Sequence, residues 1–235
     1  PDALPIFDIN PNNLCMDEDQ IIKKVNKNTL AVFLTHVQGF NGLSSKLINF
    51  LKKKKILLIE DVCESHGATY KNKKLGTFGK ISNFSFYYAH HMTTIEGGMI
   101  CTNDEKLYQV LRMFRSHGMA REATDASLKQ TYIDENPELN PDFIFAFPAY
   151  NVRNNEIGAV LGRNQLKRLD NNNQKRIRNF ELFLKNLDST KYKTDFDLEG
   201  SSNYAFNLVI NKADPQFCQS VMQVLKEHHI EFRRG

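Results

Sequence analysis

Short apolar runs alternate with amphipathic stretches along the first half of the chain. Leu30–Leu34 reads as a buried strand, and Ser44–Lys54 as a helix with Leu47, Ile48 and Leu51 on one face. Ile56–Ile59 is a second apolar run and leads into the acidic pair Glu60-Asp61. Phe84–Tyr88 and Met99–Thr102 read as two more strands, separated by the loop AHHMTTIEGG. Asp104 is placed to cap a helix running to about Ser116, before Gly118. Strands alternating with helices predict an α/β domain with a mostly parallel sheet, whose ligands sit at the carboxyl ends of the strands.

After Gly118 the pattern changes. Arg121–Asp142 is polar and weakly periodic, and is expected to form a long loop. From Asn155 to about Leu187 the period is helical, apolar in the first half (Ile157, Val160, Leu161, Leu166, Leu169) and charged in the second (Lys175, Arg176, Arg178). Asn203–Ile210 is expected as a strand and Pro215–His228 as a helix. The predicted organisation is a partial large domain over residues 1–160, a linking helix over 161–187, and the start of a small α+β domain over 188–235.

Composition narrows the function classes. Among 235 residues, 41% are hydrophobic and 25% charged, which excludes disordered and fibrous chains. No stretch has the ~20 consecutive apolar residues of a membrane span, and the opening PDALPIFDINPNNL is no signal peptide, so a cytoplasmic location is expected. Cys15, Cys63, Cys101 and Cys218 lie far apart with no CxxC pair, which predicts free thiols. The net charge of +4 is scattered; its one dense run, Lys52–Lys55, ends a predicted helix, where cations suit the dipole. No nucleic-acid partner is expected. The chain opens on Pro1 and closes on EFRRG, so a piece of a longer protein is expected.

The chemistry is concentrated in IEDVCESHGATYKNKKLGTFGKISNFSFYYAHHMTTIEGGMICTNDE. This segment resembles the DegT/DnrJ/EryC1/StrS sugar aminotransferases, whose pattern runs E-D-A-A-(Q/H)-A-x-G, then G-x-x-G-x-x-G-D-x-x-x-F-S-F-(Y/F), then a lysine loop ending G-E-G-G. AYNVRNNEIGAVLGRNQLKRLD, at 149–170, extends the resemblance. It implies the aspartate aminotransferase-like fold of pyridoxal-phosphate (PLP) fold type I. By the resemblance, Asp61 faces the cofactor's pyridine nitrogen and keeps it protonated, which makes the ring an electron sink. Glu64 falls where relatives carry Gln or His against the ring, and Ser85 where a hydroxyl bonds the cofactor phosphate.

Five residues after Ser85, where the family has its cofactor-bonding lysine, stands His90. Imidazole cannot replace a primary amine in that bond, but it can act as a general base near neutral pH. Histidine here resembles a branch of 3-dehydratases that act on nucleotide-linked 4-keto-6-deoxyhexoses. The branch implies bound pyridoxamine phosphate (PMP), loss of the C3 hydroxyl, and L-glutamate as the donor that regenerates the amine. His117 matches a site-lining histidine of its iron-independent members; a helix-end histidine near the dipole's negative pole is the plain alternative. By the resemblance, Cys63 sits where the iron–sulfur subgroup has its first cluster cysteine, but that subgroup's other three follow FRSHG and Arg121–Thr131 contains none, so no cluster is expected. Asn151 and Arg153 match a segment reaching the cofactor or substrate of a neighbouring subunit, which implies a homodimer; a polar turn is their alternative. Arg233, in IEFR, resembles an arginine near the substrate.

Overall fold

Residues 7–234 are described by the computed structural model; the first six residues and Gly235, and with them part of the reading of both chain ends, lie outside. In chain order the elements are α1 (Glu18–Lys24), β1 (Ala31–Thr35), α2 (Ser45–Lys54), β2 (Leu57–Asp61), β3 (Thr69–Tyr70), β4 (Lys73–Lys74), β5 (Ile81–Ser85), β6 (Gly98–Cys101), α3 (Glu105–Phe114), α4 (Ala126–Glu135), α5 (Glu156–Asn186) and α6 (Pro215–Glu227). The main sheet has the order β1-β2-β5-β6. β1, β2 and β5 run parallel, and β6 returns antiparallel to β5. This is the expected mostly parallel α/β sheet. β3 and β4 form a separate hairpin.

Alternation along the strands sorts their side chains. Val32, Leu34 and Leu58 point into a core completed by Leu47 and Leu51 of α2, together with Ile21, Leu43, Val62 and Leu75. Each fully buried leucine contributes about 1.5–3 kcal/mol. Ser44 starts α2 by accepting from the Leu47 N–H at 3.0 Å, and Lys55 ends it in a left-handed conformation (φ 57°). A second cluster, Cys15, Phe40, Phe180, Leu184 and Phe196, ties the second half of α5 to the residues before β1 and after it.

Two expectations fail. Arg121–Asp142 is no loop throughout, because Asp125 accepts from the Ser127 and Leu128 N–H groups and starts α4. That helix buries no side chain, so it carries no apolar period to read. Asn203–Ile210 forms no strand: Asn203 is left-handed (φ 45°), and Ile210 alone makes a bridge, to Tyr192. The segment is instead held by separate contacts, Ser202 N–H to Gly39 O at 2.9 Å and Tyr204 N–H to Gln38 O at 3.0 Å. The β5 strand also starts and ends earlier than its apolar run suggests. Ser85 Oγ accepts from the Tyr87 N–H at 3.3 Å and turns the chain out of the sheet. All four cysteines are free.

Candidate active site

The acidic pair at the end of β2 splits across the sheet. Glu60 is fully buried and accepts from the backbone N–H groups of Gly76 (2.8 Å), Phe78 (2.8 Å) and Gly79 (2.6 Å). His36 Nδ1 accepts from the Gly42 N–H at 3.1 Å, so Nε2 carries the hydrogen it directs at Glu60, 3.3 Å away. Burial pushes the Glu60 carboxyl up, but the His36 and backbone hydrogen bonds outweigh it and leave the pKa lowered. Glu60 thereby fixes the turn that delivers β5 next to β2.

Asp61 takes the opposite face, at the carboxyl end of β2. Its Oδ1 accepts from the Cys63 N–H (3.1 Å) and from Asn83 Nδ2 (3.0 Å). Oδ2 has no hydrogen-bond partner among the described residues. Burial first, then the adjoining Asp61 carboxylate, push the Cys63 thiol up to about 12, so it stays protonated. Glu64 Oε2 accepts from the Gln38 N–H at 2.8 Å and holds Gln38 in a left-handed conformation (φ 56°, ψ 22°). Ser85 lies at the end of the neighbouring strand.

His90 follows in the loop after β5, its N–H on Tyr87 O at 3.1 Å. The ring lies 5.6 Å from Tyr204 and 5.9 Å from both Tyr87 and His66, centroid to centroid. Its Nδ1 is buried without a partner, whereas Nε2 is reached by solvent. Burial lowers the His90 pKa, and the charges of Glu64 and Asp61 oppose that shift. The base candidate is thus neutral at physiological pH and stands in the field of both carboxylates. His91 points inward, with Nε2 3.2 Å from Ser202 O and 3.1 Å from Asn203 O. The same loop holds Ile95 at φ 74°, a conformation a β-branched side chain adopts only at a cost of about 1–3 kcal/mol. An open carboxylate oxygen, a strand-end hydroxyl and an accessible imidazole at adjacent strand ends fit the polar groups of a phosphorylated pyridine.

The remaining predicted residues form a second group. Ser116 and Asn151 make an isolated bridge, the His117 N–H donates to Tyr150 O at 2.7 Å, and Arg153 Nε donates to Asn151 Oδ1 at 3.1 Å. His117 is left-handed (φ 60°). Arg115, Arg153 and Asn154 line a cavity of about 310 Å³ beside the start of α5. No hydrogen bond among the described residues joins this group to His90. Arg233 is exposed; its charge, with that of Arg176, opposes the rise that burial and Glu64 impose on the Tyr204 phenol.

Against this geometry, a family model described as the DegT/DnrJ/EryC1/StrS aminotransferase family matches residues 2–234. The chain belongs to this family. Within the DegT family it is 33% identical over 227 residues to GDP-4-keto-6-deoxy-D-mannose 3-dehydratase of Escherichia coli O55:H7, covering 96% of this chain and 58% of the relative. A solved E. coli GDP-4-keto-6-deoxy-D-mannose-3-dehydratase with bound hydrated PLP superposes with a TM-score of 0.82 at 31% identity, covering 97% of this chain and 58% of that one. A second such structure, with a trapped PLP–glutamate geminal diamine, gives 0.82 at 31%, covering 97% and 59%. The fold is therefore the expected PLP fold type I, and this DegT-family chain spans a little under three fifths of the length of these relatives. His66, Tyr204 and Gln38, all at the site, are not singled out by the sequence pattern. His66 stands inside the quoted motif, but nothing in its spacing shows which ring it meets. Gln38 arrives from a turn without an apolar period, and Tyr204 from a segment whose apolar pattern reads as a plain strand.

Proposed function

We propose that the chain is the greater part of a PLP/PMP-dependent 3-dehydratase of a nucleotide-linked 4-keto-6-deoxyhexose, a lyase of deoxysugar biosynthesis. The observation that carries it is His90, with Nε2 open to the site beside Asp61 and Glu64 at the position where aminotransferases need an amine. Lys80, the lysine just before β5, is paired with Asp104 beyond the strand's other end. Asp61 would hold the cofactor's pyridine nitrogen through its open oxygen, Ser85 its phosphate, and Glu64 its ring edge, while Asn151 would reach the cofactor phosphate of the neighbouring subunit. In its amine form the cofactor would supply the nitrogen that condenses with the 4-keto group and the sink for the electrons released. His90 takes the proton at Nε2, and the imidazolium can return it to the departing C3 hydroxyl, one group serving as base and then acid. His117 belongs to the second group and acts on the substrate side, with Arg153 and Arg233 as cations for the nucleotide's phosphates.

L-glutamate is the amino donor in this reading, as the glutamate adduct of the solved relative supports. A homodimer is supported by the exposed apolar face at the start of α5, where Ile157 is 75% exposed beside Val160 and Leu161. Among the described residues no helix is long and apolar enough to cross a membrane, which accords with a cytoplasmic enzyme serving O-antigen or similar glycans. For the organisation of the chain, the division at 160 and 187 into large domain, linking helix and small domain is retained.

The test is borohydride reduction of the full-length protein incubated with pyridoxal phosphate, followed by peptide mass spectrometry. Cofactor that stays bound, leaves no lysine adduct and turns to its amine with glutamate is the expected result. A phosphopyridoxyl mass on one lysine overturns it in favour of a sugar aminotransferase.

A further inference from the structure

Four ring nitrogens meet beside the site without a hydrogen-bond partner: both nitrogens of His66, Nδ1 of His90 and Nδ1 of His91. His66 is 3% exposed and packs on Phe84 and Phe86, each 5.8 Å away between centroids. Phenylalanine would suit such surroundings at lower desolvation cost, so an unpaired imidazole there needs a reason. The His66 ring also lies 5.9 Å from His90 and 5.8 Å from His91. Among the described residues no group of three or more His, Cys, Asp or Glu side chains is arranged to hold a metal ion.

The tautomers can be followed from one end. His91 Nε2 faces two carbonyl oxygens and must carry a hydrogen, which leaves a lone pair on Nδ1. At the other end, a base acting through the accessible Nε2 of His90 needs its lone pair there and its hydrogen on the buried Nδ1. His66 packs against both rings; the Ser85 backbone also bears on its charge, but neither ring nitrogen closes a hydrogen bond. If it accepts from His90 Nδ1–H and donates to His91 Nδ1, all four unpaired nitrogens are satisfied by a single set of tautomers. Centroids 5.8–5.9 Å apart leave facing nitrogens about 3.5 Å from one another at the closest, so each link closes when the rings move a few tenths of an ångström together.

We propose that His66 is a positioning residue: it links His90 through His91 to the carbonyls of Ser202 and Asn203, and so fixes the lone pair of His90 on Nε2. The other groups facing His90 are the Asp61 and Glu64 carboxylates, Tyr87 of its own loop and Tyr204; Arg176 acts on His91 from α5. None of them offers a neutral ring with two free nitrogens. His66 and His91 are both held neutral, at about 4 and about 3, by burial first, and next by His90 and Arg176 respectively. A chain of neutral rings is what this arrangement requires.

This inference rests on the reading of His90 as the base, and its test separates the two. In the full-length protein labelled with ¹⁵N-histidine, NMR at neutral pH is expected to show His90 protonated on Nδ1 and His91 on Nε2. His66→Phe should abolish the His90 preference and lower kcat about tenfold at unchanged KM. His66→Asn, which keeps a donor and an acceptor, should restore most of both. A wild-type His90 protonated on Nε2, or one whose tautomer His66→Phe leaves unchanged, overturns the proposal. Should His66→Phe fail to fold, the wild-type spectrum and His66→Asn decide the matter. The expected tautomers in a protein that dehydrates no 4-keto sugar would overturn the dehydratase reading and leave the linkage standing.

Discussion

Glu64 has two duties that its position in the motif does not separate. It faces His90 electrostatically and it holds the left-handed turn at Gln38 through a 2.8 Å hydrogen bond. Glu64→Ala should therefore cost stability as well as activity, by about 1–2 kcal/mol in urea denaturation, whereas Glu64→Gln, which still offers an oxygen to Gln38, should cost less than half of that. A mutant as stable as wild type would show that the turn holds itself. At His90 the expectation is the reverse, since its side chain makes no hydrogen bond that the fold needs. His90→Lys should lower dehydration at least about 100-fold while moving the melting temperature by no more than a few degrees. Asp61 and His90 are legible in the sequence because one ends an apolar run and the other sits at a fixed distance from Ser85. The partnership of His66 with His90 is not legible, because ring contacts across a loop leave no period along the chain.

At the level of elements, the order β1-β2-β5 depends on one buried carboxylate. Glu60→Ala would strand three backbone N–H groups and His36 in the core, and should cost about 3–5 kcal/mol by chemical denaturation. A loss below about 1 kcal/mol would mean that water replaces the carboxylate freely. Gly39 is the second such point: φ is +87°, and an added Cβ would lie 2.6 Å from Tyr204 N and 2.7 Å from Asn203 N. Gly39→Ala should lower stability by about 1–3 kcal/mol and shift the NMR signals of His90 and His91, because it pushes their neighbours away. The parallel strands and α2 could be read because their burial alternates or repeats. α4 could not, since it only half-buries Leu128, Tyr132 and Ile133 among polar residues, and the segment 203–210 reads as a strand because it is apolar, although it is pinned residue by residue.

Over the whole molecule, His66 and His91 make stability depend on pH. Both are buried neutral, with folded pKa values near 4 and 3 against about 6.5 unfolded, so the unfolded chain binds more protons between those limits. Stability is full above about pH 6.5 and should fall as pH drops towards 4, by about 1.4 kcal/mol per pH unit for each histidine. Urea titrations at pH 7 and 5.5 check this, and His66→Phe should remove one of the two contributions.

The tie between His91 and the carbonyls of Ser202 and Asn203 also sets an order of events during synthesis. The strands of the main sheet end at residue 101, whereas the partners of His91 lie 111 and 112 residues further along the chain than His91 itself. At ~5–20 residues per second, the ribosome delivers them roughly 5–20 s after His91. A nascent chain can therefore lay down its sheet and wait with its cluster of imidazoles unfinished, complete only when a late segment arrives to close over the rings.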